Sequence, residues 1–283
     1  MKAPAFSYVR ARSVTEALDS LKQHGANAKL LAGGQSLMPA MNMRLASPEV
    51  LIDISRIADL AGIRVEGDMV QIGALTTHAA IESSADIHAR LPLLSDAVRH
   101  IAHPAIRNSG TFGGSIVMAD PAAEWPACCV ALNACFTLQS VAGTREVAAR
   151  EFFTGPYSTV MADDELLTRI TIPIPKAGTR HVFMELARRQ GDYAIVGIAA
   201  LVDGKGGRDA LTLAFLGASS TPVLATKTSQ LFVSNEVTDA TLAAARGTLA
   251  EDLEPAADLY TSAETKLHLA HVLTGRALKA LYA

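Results

Sequence analysis

The sequence predicts an α+β fold in two successive domains, and three observations indicate it. Over the first part of the chain, short apolar runs alternate with segments of helical periodicity. The run Pro173-Ile174-Pro175 then interrupts a strand pattern and leads into a turn. Beyond it, β-rich runs come first and helical segments follow, as in a small α+β module. We therefore predict domains at residues 1–175 and 176–283, the first divided near residue 55.

The chain opens with a predicted strand, helix and strand. Residues 5–9 read as extended, and Ser13 with Glu16 forms a capping-box pattern ahead of an apolar helix face. Gly25 is placed to end this helix. The apolar run 29–32 is then a short buried strand, whose end is where ligand sites of α/β units usually lie.

The remaining elements follow from the same two periodicities. In the first domain we predict strands at residues 50–54, 69–74 and 166–172 and near Phe136, and helices from His78, from 91 to 101 and from Asp120-Pro121. In the second domain we predict three strands, at residues 182–187, 194–202 and 211–216, and helices from Val223, Asp239 and Ser262.

Composition restricts the classes of partner. The chain has 283 residues, 49% of them hydrophobic, and a net charge of −3 without a basic stripe, so neither nucleic acid nor an anionic membrane is expected to bind it. The longest uncharged stretch, residues 125–144, contains Pro126 and Gly143 and fits a buried helix and strand better than a membrane span. The N-terminus lacks the apolar segment of a signal peptide, so we expect the cytoplasm.

The cysteines and histidines indicate no metal centre. Cys128, Cys129 and Cys135 all lie in that one apolar stretch, which is typical of core thiols. An iron–sulfur cluster usually takes four protein ligands, so this chain is not expected to hold one alone. None of the 8 histidines has metal-ligand spacing to a cysteine or carboxylate, and we predict no metal.

Two glycine-rich signatures carry the chemistry: Ala32-Gly33-Gly34-Gln35-Ser36 and Thr111-Phe112-Gly113-Gly114-Ser115. Glycine adopts positive φ readily, and successive backbone N–H groups can then form an anion-binding nest. Hydroxyls at Ser36, Thr111 and Ser115 can add hydrogen bonds. A diphosphate held from two sides is the simplest use of both, although single Gly-Gly pairs also occur in ordinary turns. Neither signature has the spacing of a Rossmann or Walker A motif.

Six segments, in order, resemble the FAD-binding medium subunit of the molybdenum hydroxylases. They are Leu31–Leu37, Ile72–Thr76, His103-Pro104 with Ile106-Arg107-Asn108, Gly110–Ser115, Asp120–Glu124 and Arg188–Ala194. The resemblance implies a PCMH-type FAD-binding domain in two parts, followed by the family's small C-terminal domain with a three-stranded sheet and helices.

The resemblance also implies which residues hold the cofactor. The diphosphate and ribityl region of FAD would be held by Ala32, Gly33, Gly34, Gln35, Ser36, Leu37, Thr111, Gly113, Gly114 and Ser115. Asp120 or Glu124 would accept hydrogen bonds from ribityl or adenosine hydroxyls, unless both are only first-turn acids favoured by a helix dipole. Leu167 would lie at the isoalloxazine edge, or be plain core.

Tyr193, by the same resemblance, would cover the flavin ring, and Arg189 would offset flavin or phosphate charge. A tyrosine packed at the domain junction and an exposed arginine are the alternatives. His103 and Arg107 match the family pattern, and we interpret them as residues that shape their loop. No catalytic residue is predicted.

The implied function is electron transfer. A large molybdenum-cofactor subunit oxidises the substrate, electrons pass through two [2Fe–2S] clusters of a small subunit, and FAD on this chain delivers them to an external acceptor. The implied assembly is a dimer of heterotrimers. Two alternatives remain open from the residues: a self-contained flavin oxidoreductase of the same fold, and a docking subunit that has lost the cofactor.

Overall fold

The computed structural model describes residues 2–203 and 210–283, and its elements follow the predicted alternation. The strands are β1 (Ser7–Arg10), β2 (Ala28–Leu31), β3 (Val50–Asp53), β4 (Ile63–Glu66), β5 (Met69–Gly73), β6 (Cys135–Ser140), β7 (Gly143–Ala148), β8 (Phe153–Gly155), β9 (Ser158–Thr159), β10 (Leu166–Pro173), β11 (Arg180–Ala187), β12 (Ala194–Val202), β13 (Leu211–Leu216) and β14 (Val223–Leu224). The helices are α1 (Val14–His24), α2 (Leu37–Asn42), α3 (His78–Ser83), α4 (Ala85–Arg90), α5 (Pro92–Ala97), α6 (Pro104–Arg107), α7 (Phe112–Met118), α8 (Glu124–Ala131), α9 (Ala149–Phe152), α10 (Thr226–Ser234), α11 (Asp239–Asp252) and α12 (Ala263–Tyr282).

The first sheet is parallel, in the order β1-β3-β2, so the carboxyl ends of its strands meet at one edge. Helix α1 starts as predicted, because the Ser13 side chain accepts from the Glu16 N–H at 3.1 Å. The Glu16 carboxylate takes the N–H of Arg12 instead of that of Ser13, which is a variant of the expected box. Gly25 ends the helix with φ 53°. The first glycine signature leaves β2 at the shared edge.

The second sheet is antiparallel, in the order β4-β5-β10-β6-β7. The sequence analysis does not predict its edge strands β4 and β7. Strand β7 is exposed at every position except Val147, so it has no apolar run that would indicate a strand. Helix α8 is buried along its whole length and packs against both β12 and β13, as expected for the charge-free stretch. Its Cys128 and Cys129 are buried, which confirms these two as core thiols.

The C-terminal sheet has the order β11-β12-β13-β14 and is covered on both faces. One face, with Phe183 and Ala199, belongs to the core of the first domain. The other, with Ile198 and Phe215, packs against the C-terminal helices. Strand β14 is a fourth strand beyond the three predicted, and because its residues pair with β13, the helix expected from Val223 begins only at Thr226.

Two further helix predictions are wrong in their bounds. Asp120-Pro121 does not begin a helix: the Asp120 carboxylate accepts from the Ala122 N–H at 2.9 Å and forms a turn, and α8 begins at Glu124. The helix expected over 91–101 covers only Pro92–Ala97. The domain limits at residues 55 and 175 stay a prediction.

Among the described residues, none of the helices combines the length and the apolar character that a membrane span requires.

Candidate cofactor site

The two glycine signatures meet in space. The backbone of Gly33 lies so close to the segment before the second signature that an added Cβ would be 2.0 Å from the Ser109 carbonyl oxygen and 2.9 Å from the Gly110 Cα. Thr111, which opens the second signature, pairs with Thr77 in an isolated antiparallel bridge. The first and second sheets therefore contribute to one place, next to the carboxyl edge of the parallel sheet.

A cavity of about 340 Å³ lies at this meeting point. Its lining combines backbone from both glycine regions with hydroxyl and amide side chains: Ala32, Gly33, Ser55, Leu75, Thr77, Asn108, Ser109 and Thr111. Thr77 and Thr111 are the N-cap residues of α3 and α7, where each side chain accepts a backbone N–H. The cavity is thus polar and open to a ligand that accepts hydrogen bonds.

The first signature has the geometry of an anion nest. Gly34 adopts φ 70°, as predicted for a residue that turns the backbone inward. Within residues 2–203 and 210–283, the N–H groups of Gly33, Gly34, Gln35 and Ser36 donate to no protein acceptor. The Gln35 side chain bonds the Gly33 carbonyl at 3.1 Å, and Ser36 precedes α2 without capping it. Several donors are therefore available on one loop.

The second signature has a different geometry from the nest predicted for it, and its contact with a cofactor stays a prediction. The N–H groups of Phe112, Gly113, Gly114 and Ser115 are all taken, by Thr76 O, Ala74 O, Thr111 Oγ1 and Thr111 O, at 2.8 to 3.1 Å. Neither Gly113 nor Gly114 has positive φ, because both lie in the first turn of α7. Glycine is needed at Gly113 for a different reason: an added Cβ would be 2.6 Å from the Cβ of Ala74.

Asp120 and Glu124 lie beyond α7 in different settings. Burial raises the pKa of Asp120, against hydrogen bonds from Ala122 and Tyr157. Glu124 is the first residue of α8 and 8% exposed, and burial followed by the charge of Glu185 raises its pKa to about 8. Only Glu124 lies in the first turn of a helix. The alternative that Asp120 is merely an acid favoured by a helix dipole therefore does not hold. Near neutral pH the Glu124 carboxyl is mostly protonated and can donate as well as accept.

Tyr193 stands on a turn that rests on the His103 loop. Gly191 holds that turn with φ 80°, and an added Cβ would be 2.8 Å from both the Ala102 carbonyl oxygen and the His103 ring. The Tyr193 side chain is 72% exposed, which does not fit a tyrosine packed in the domain junction. Partial burial, followed by the charges of Asp120 and Glu124, raises the pKa of Tyr193, so all three share one neighbourhood.

Arg189, Leu167 and Arg107 make the following contacts. Arg189 is exposed and pairs with Asp192 at 3.2 Å. Leu167 on β10 is 2% exposed and belongs to the core of the first domain, and its contact with a cofactor stays a prediction. Arg107 donates to both Glu82 oxygens and to the carbonyls of Ile101 and Ala102, which confirms its role in shaping the loop.

His78 and Trp125 form a buried hydrogen-bonded pair behind the cavity that the sequence analysis does not predict. The Trp125 indole N–H donates to His78 Nδ1 at 2.9 Å and joins α8 to α3, directly behind Thr77. Burial, followed by the charge of Arg107, lowers the pKa of His78 to about 4, so the ring is neutral and can accept. The two residues are far apart in sequence, so no local pattern indicates the pair.

We expect Trp125→Phe to lower the free energy of unfolding by about 1–3 kcal/mol, because the buried His78 Nδ1 loses its donor. Urea denaturation measures this change in the free energy of unfolding. A double-mutant cycle with His78→Leu separates this hydrogen bond from lost packing. Equal costs of Trp125→Phe in the two backgrounds would contradict the prediction.

Family models match both parts of the chain. One described as FAD binding domain in molybdopterin dehydrogenase matches residues 4–175. Another, described as CO dehydrogenase flavoprotein C-terminal domain, matches residues 181–281.

Curated relatives match over the whole length. The carbon monoxide dehydrogenase medium chain of Hydrogenophaga pseudoflava is 38% identical over 284 residues, covering 100% of this chain and 99% of that one. The 6-hydroxypseudooxynicotine dehydrogenase complex subunit alpha of Paenarthrobacter nicotinovorans is 38% identical over 287 residues, covering 100% and 96%. A solved structure of the Hydrogenophaga pseudoflava carbon monoxide dehydrogenase superposes with a TM-score of 0.96 at 40% identity, covering 100% of this chain and 99% of that one.

Proposed function

The chain belongs to the FAD-binding medium subunits of the molybdenum hydroxylases, and on that basis we propose that it relays electrons from partner [2Fe–2S] clusters through FAD to an external acceptor. It is an oxidoreductase subunit with FAD as its cofactor, and the molybdenum and iron–sulfur centres belong to other subunits. The observation that carries the proposal lies on the first glycine loop, beside a polar cavity that Ala32 and Gly33 line. In the part of the chain that the structure describes, its backbone N–H groups donate to no protein acceptor.

The residues present fit FAD. A diphosphate needs several donors that no protein acceptor has taken, and the loop Ala32–Leu37 offers them, with the Ser36 hydroxyl beside them. The second signature acts differently: Gly113 lets α7 approach Ala74, while Thr111 adds side-chain polarity to the cavity. We assign the diphosphate to the first loop. The wall that closes the site is assigned to Thr111, Gly113, Gly114 and Ser115.

The remaining predicted residues surround the reactive end of the cofactor in this proposal. FAD, when bound, supplies redox chemistry that takes electrons from a one-electron donor and passes them to an acceptor. Asp120 or the protonated Glu124 would hydrogen-bond ribityl or adenosine hydroxyls, and Tyr193 would cover the ring. The protein contributes binding, orientation and exclusion of water, and no acid or base on this chain is required.

The proposed partners are the subunits that carry the other redox centres. Within residues 2–203 and 210–283 no group of histidines, cysteines and carboxylates is arranged to hold a metal ion. The relatives are subunits of multi-subunit complexes, which supports the proposal that the electrons reach FAD from centres on partner chains. A dimer of heterotrimers, a cytoplasmic location and the identity of the acceptor stay predictions.

The relay is tested in the purified complex without its substrate. Dithionite, added below one equivalent under nitrogen, reduces the clusters, and their electron paramagnetic resonance signal is followed after oxygen or NAD⁺ is added. We expect reoxidation at least tenfold slower in a complex that carries the flavin-deficient Gly33→Val chain. Equal rates would show that electrons leave the clusters without this chain's flavin and would refute the relay.

The same preparation decides between the alternatives. Flavin, iron and molybdenum are measured per complex. A complex with iron and molybdenum but no flavin would favour the docking subunit, and flavin turnover by the isolated chain would favour the self-contained enzyme.

A further inference from the structure

Tyr157 has an unusual backbone conformation for a tyrosine. It follows Pro156 in the tight turn between β8 and β9, with φ 55°. Turns with a proline followed by positive φ normally take glycine or asparagine there. The ring is nevertheless 60% exposed, so it fills no core that would explain the residue. A bulky side chain in a left-handed conformation at the surface indicates a functional constraint.

Two contacts clamp this turn to the Asp120 segment. The Tyr157 N–H donates to the Ala119 carbonyl at 3.0 Å, and Ala119 is itself left-handed with φ 49°. The Tyr157 hydroxyl donates to Asp120 Oδ2 at 3.4 Å. The turn is thereby fixed against the short link between α7 and α8, the link that carries Asp120.

Tyr157 and Tyr193 share Asp120 as a neighbour. Burial raises the pKa of Tyr157, and the charges of Asp120 and Tyr193 add to it, so the two rings lie close to the same carboxylate. Both side chains are large and exposed. Tyr157 comes from the β8–β9 turn of the first predicted domain and Tyr193 from the loop before β12 of the second.

Resting on the proposed function, we propose that the ring of Tyr157 is a second wall of the flavin site and, with Tyr193, restricts which electron acceptors reach the cofactor. The backbone bond from the Tyr157 N–H to Ala119 holds the ring in place against its unfavourable backbone conformation, and the longer hydroxyl bond to Asp120 adds little to it. Tyr157 is thus a positioning and specificity-determining residue, and it takes no part in electron or proton transfer.

The test uses the holoenzyme complex and three substitutions. Tyr157→Gly removes the ring and suits the left-handed backbone. Tyr157→Asn is a second variant that tolerates the same φ, in case the glycine chain folds poorly. Tyr157→Phe keeps the ring. Asn133→Gly is the matched control, because exposed Asn133 has φ 53° and lies between α8 and β6, outside the proposed site.

Iodide quenching of flavin fluorescence is the first measurement, since it reports access to the ring without turnover. We expect the quenching constant to rise at least twofold in Tyr157→Gly and Tyr157→Asn and to stay at the wild-type value in Tyr157→Phe and Asn133→Gly. The second measurement is the ratio of rates with a bulky dye and with oxygen, which should rise at least threefold in the same two variants.

Unchanged quenching and an unchanged rate ratio in Tyr157→Gly, with one flavin per chain retained, would overturn the role of Tyr157 and leave the proposed function intact. A wild-type complex without flavin would instead overturn the proposed function, and this inference with it. Flavin content is therefore measured first.

Discussion

Gly33→Val is expected to abolish FAD binding, so that the purified chain is colourless. Any Cβ at this position would be 2.0 Å from the Ser109 carbonyl oxygen and 2.8 Å from its carbon, which are backbone atoms that cannot rotate away. The glycine loop must then move off the Ser109–Gly110 segment, and the cavity between them loses its shape. The loop's unpaired N–H groups would no longer face one ligand.

Flavin absorbance per chain, with circular dichroism to verify folding, measures this effect. Gly247→Ala is the matched control: Gly247 is an exposed glycine of α11 whose added Cβ would meet nothing within 4 Å, so full flavin content is expected. A folded Gly33→Val chain with one flavin would contradict the assignment of the diphosphate to this loop.

Gly114→Val is expected to reduce flavin binding less than Gly33→Val. The φ of Gly114 is not positive, and an added Cβ would meet only the Thr111 side chain, with Oγ1 at 2.7 Å. Substitution there disturbs the N-cap of α7 but leaves the first loop in place. We therefore expect flavin content to fall further in Gly33→Val than in Gly114→Val. This difference distinguishes the roles of the two glycine pairs.

Glu124→Gln is expected to remove most of the loss of stability that the cofactor-free chain suffers at alkaline pH. Burial, followed by the charge of Glu185, raises the pKa of Glu124 from its ordinary 4.5 to about 8. Between these values the folded chain binds more protons than the unfolded chain, so the free energy of unfolding falls as pH rises. The total for a group this buried is on the order of 5 kcal/mol, complete above the folded pKa.

Thermal or urea unfolding between pH 5 and pH 9 measures the difference. Glutamine keeps the shape but cannot ionise, so the variant should match the wild type near pH 5 and exceed it near pH 9. The charges that act on Glu124, those of Glu185 on β11 and Asp120 in the preceding turn, are present in both the wild type and the variant. Glu151→Gln, at an exposed position, is the control. Parallel pH profiles for wild type and Glu124→Gln would refute the prediction.

Elements whose ends depend on neighbours in sequence are predicted correctly, and elements that depend on strand pairing or on a side-chain hydrogen bond are not. Helix α1 is predicted at both ends because Ser13 and Gly25 act through neighbours in sequence. Edge strand β7 is absent from the prediction because pairing with β6, and not an apolar pattern, makes it a strand. Asp120-Pro121 reads as a helix start, yet the Asp120 side chain captures the Ala122 N–H and delays the helix to Glu124.

The sequence by itself determined the α+β class, the family and the loop that offers backbone donors, because each depends on local residue types and their order. Only the tertiary structure decided which donors remain available. The N–H groups of the second glycine pair donate to Ala74 and Thr111, whereas those of the first pair donate to no acceptor among the residues that the structure describes. The structure alone also placed Tyr157 beside Asp120 and raised the pKa of Glu124. Hydrogen-bond partners and burial depend on segments distant in sequence, which no local pattern encodes.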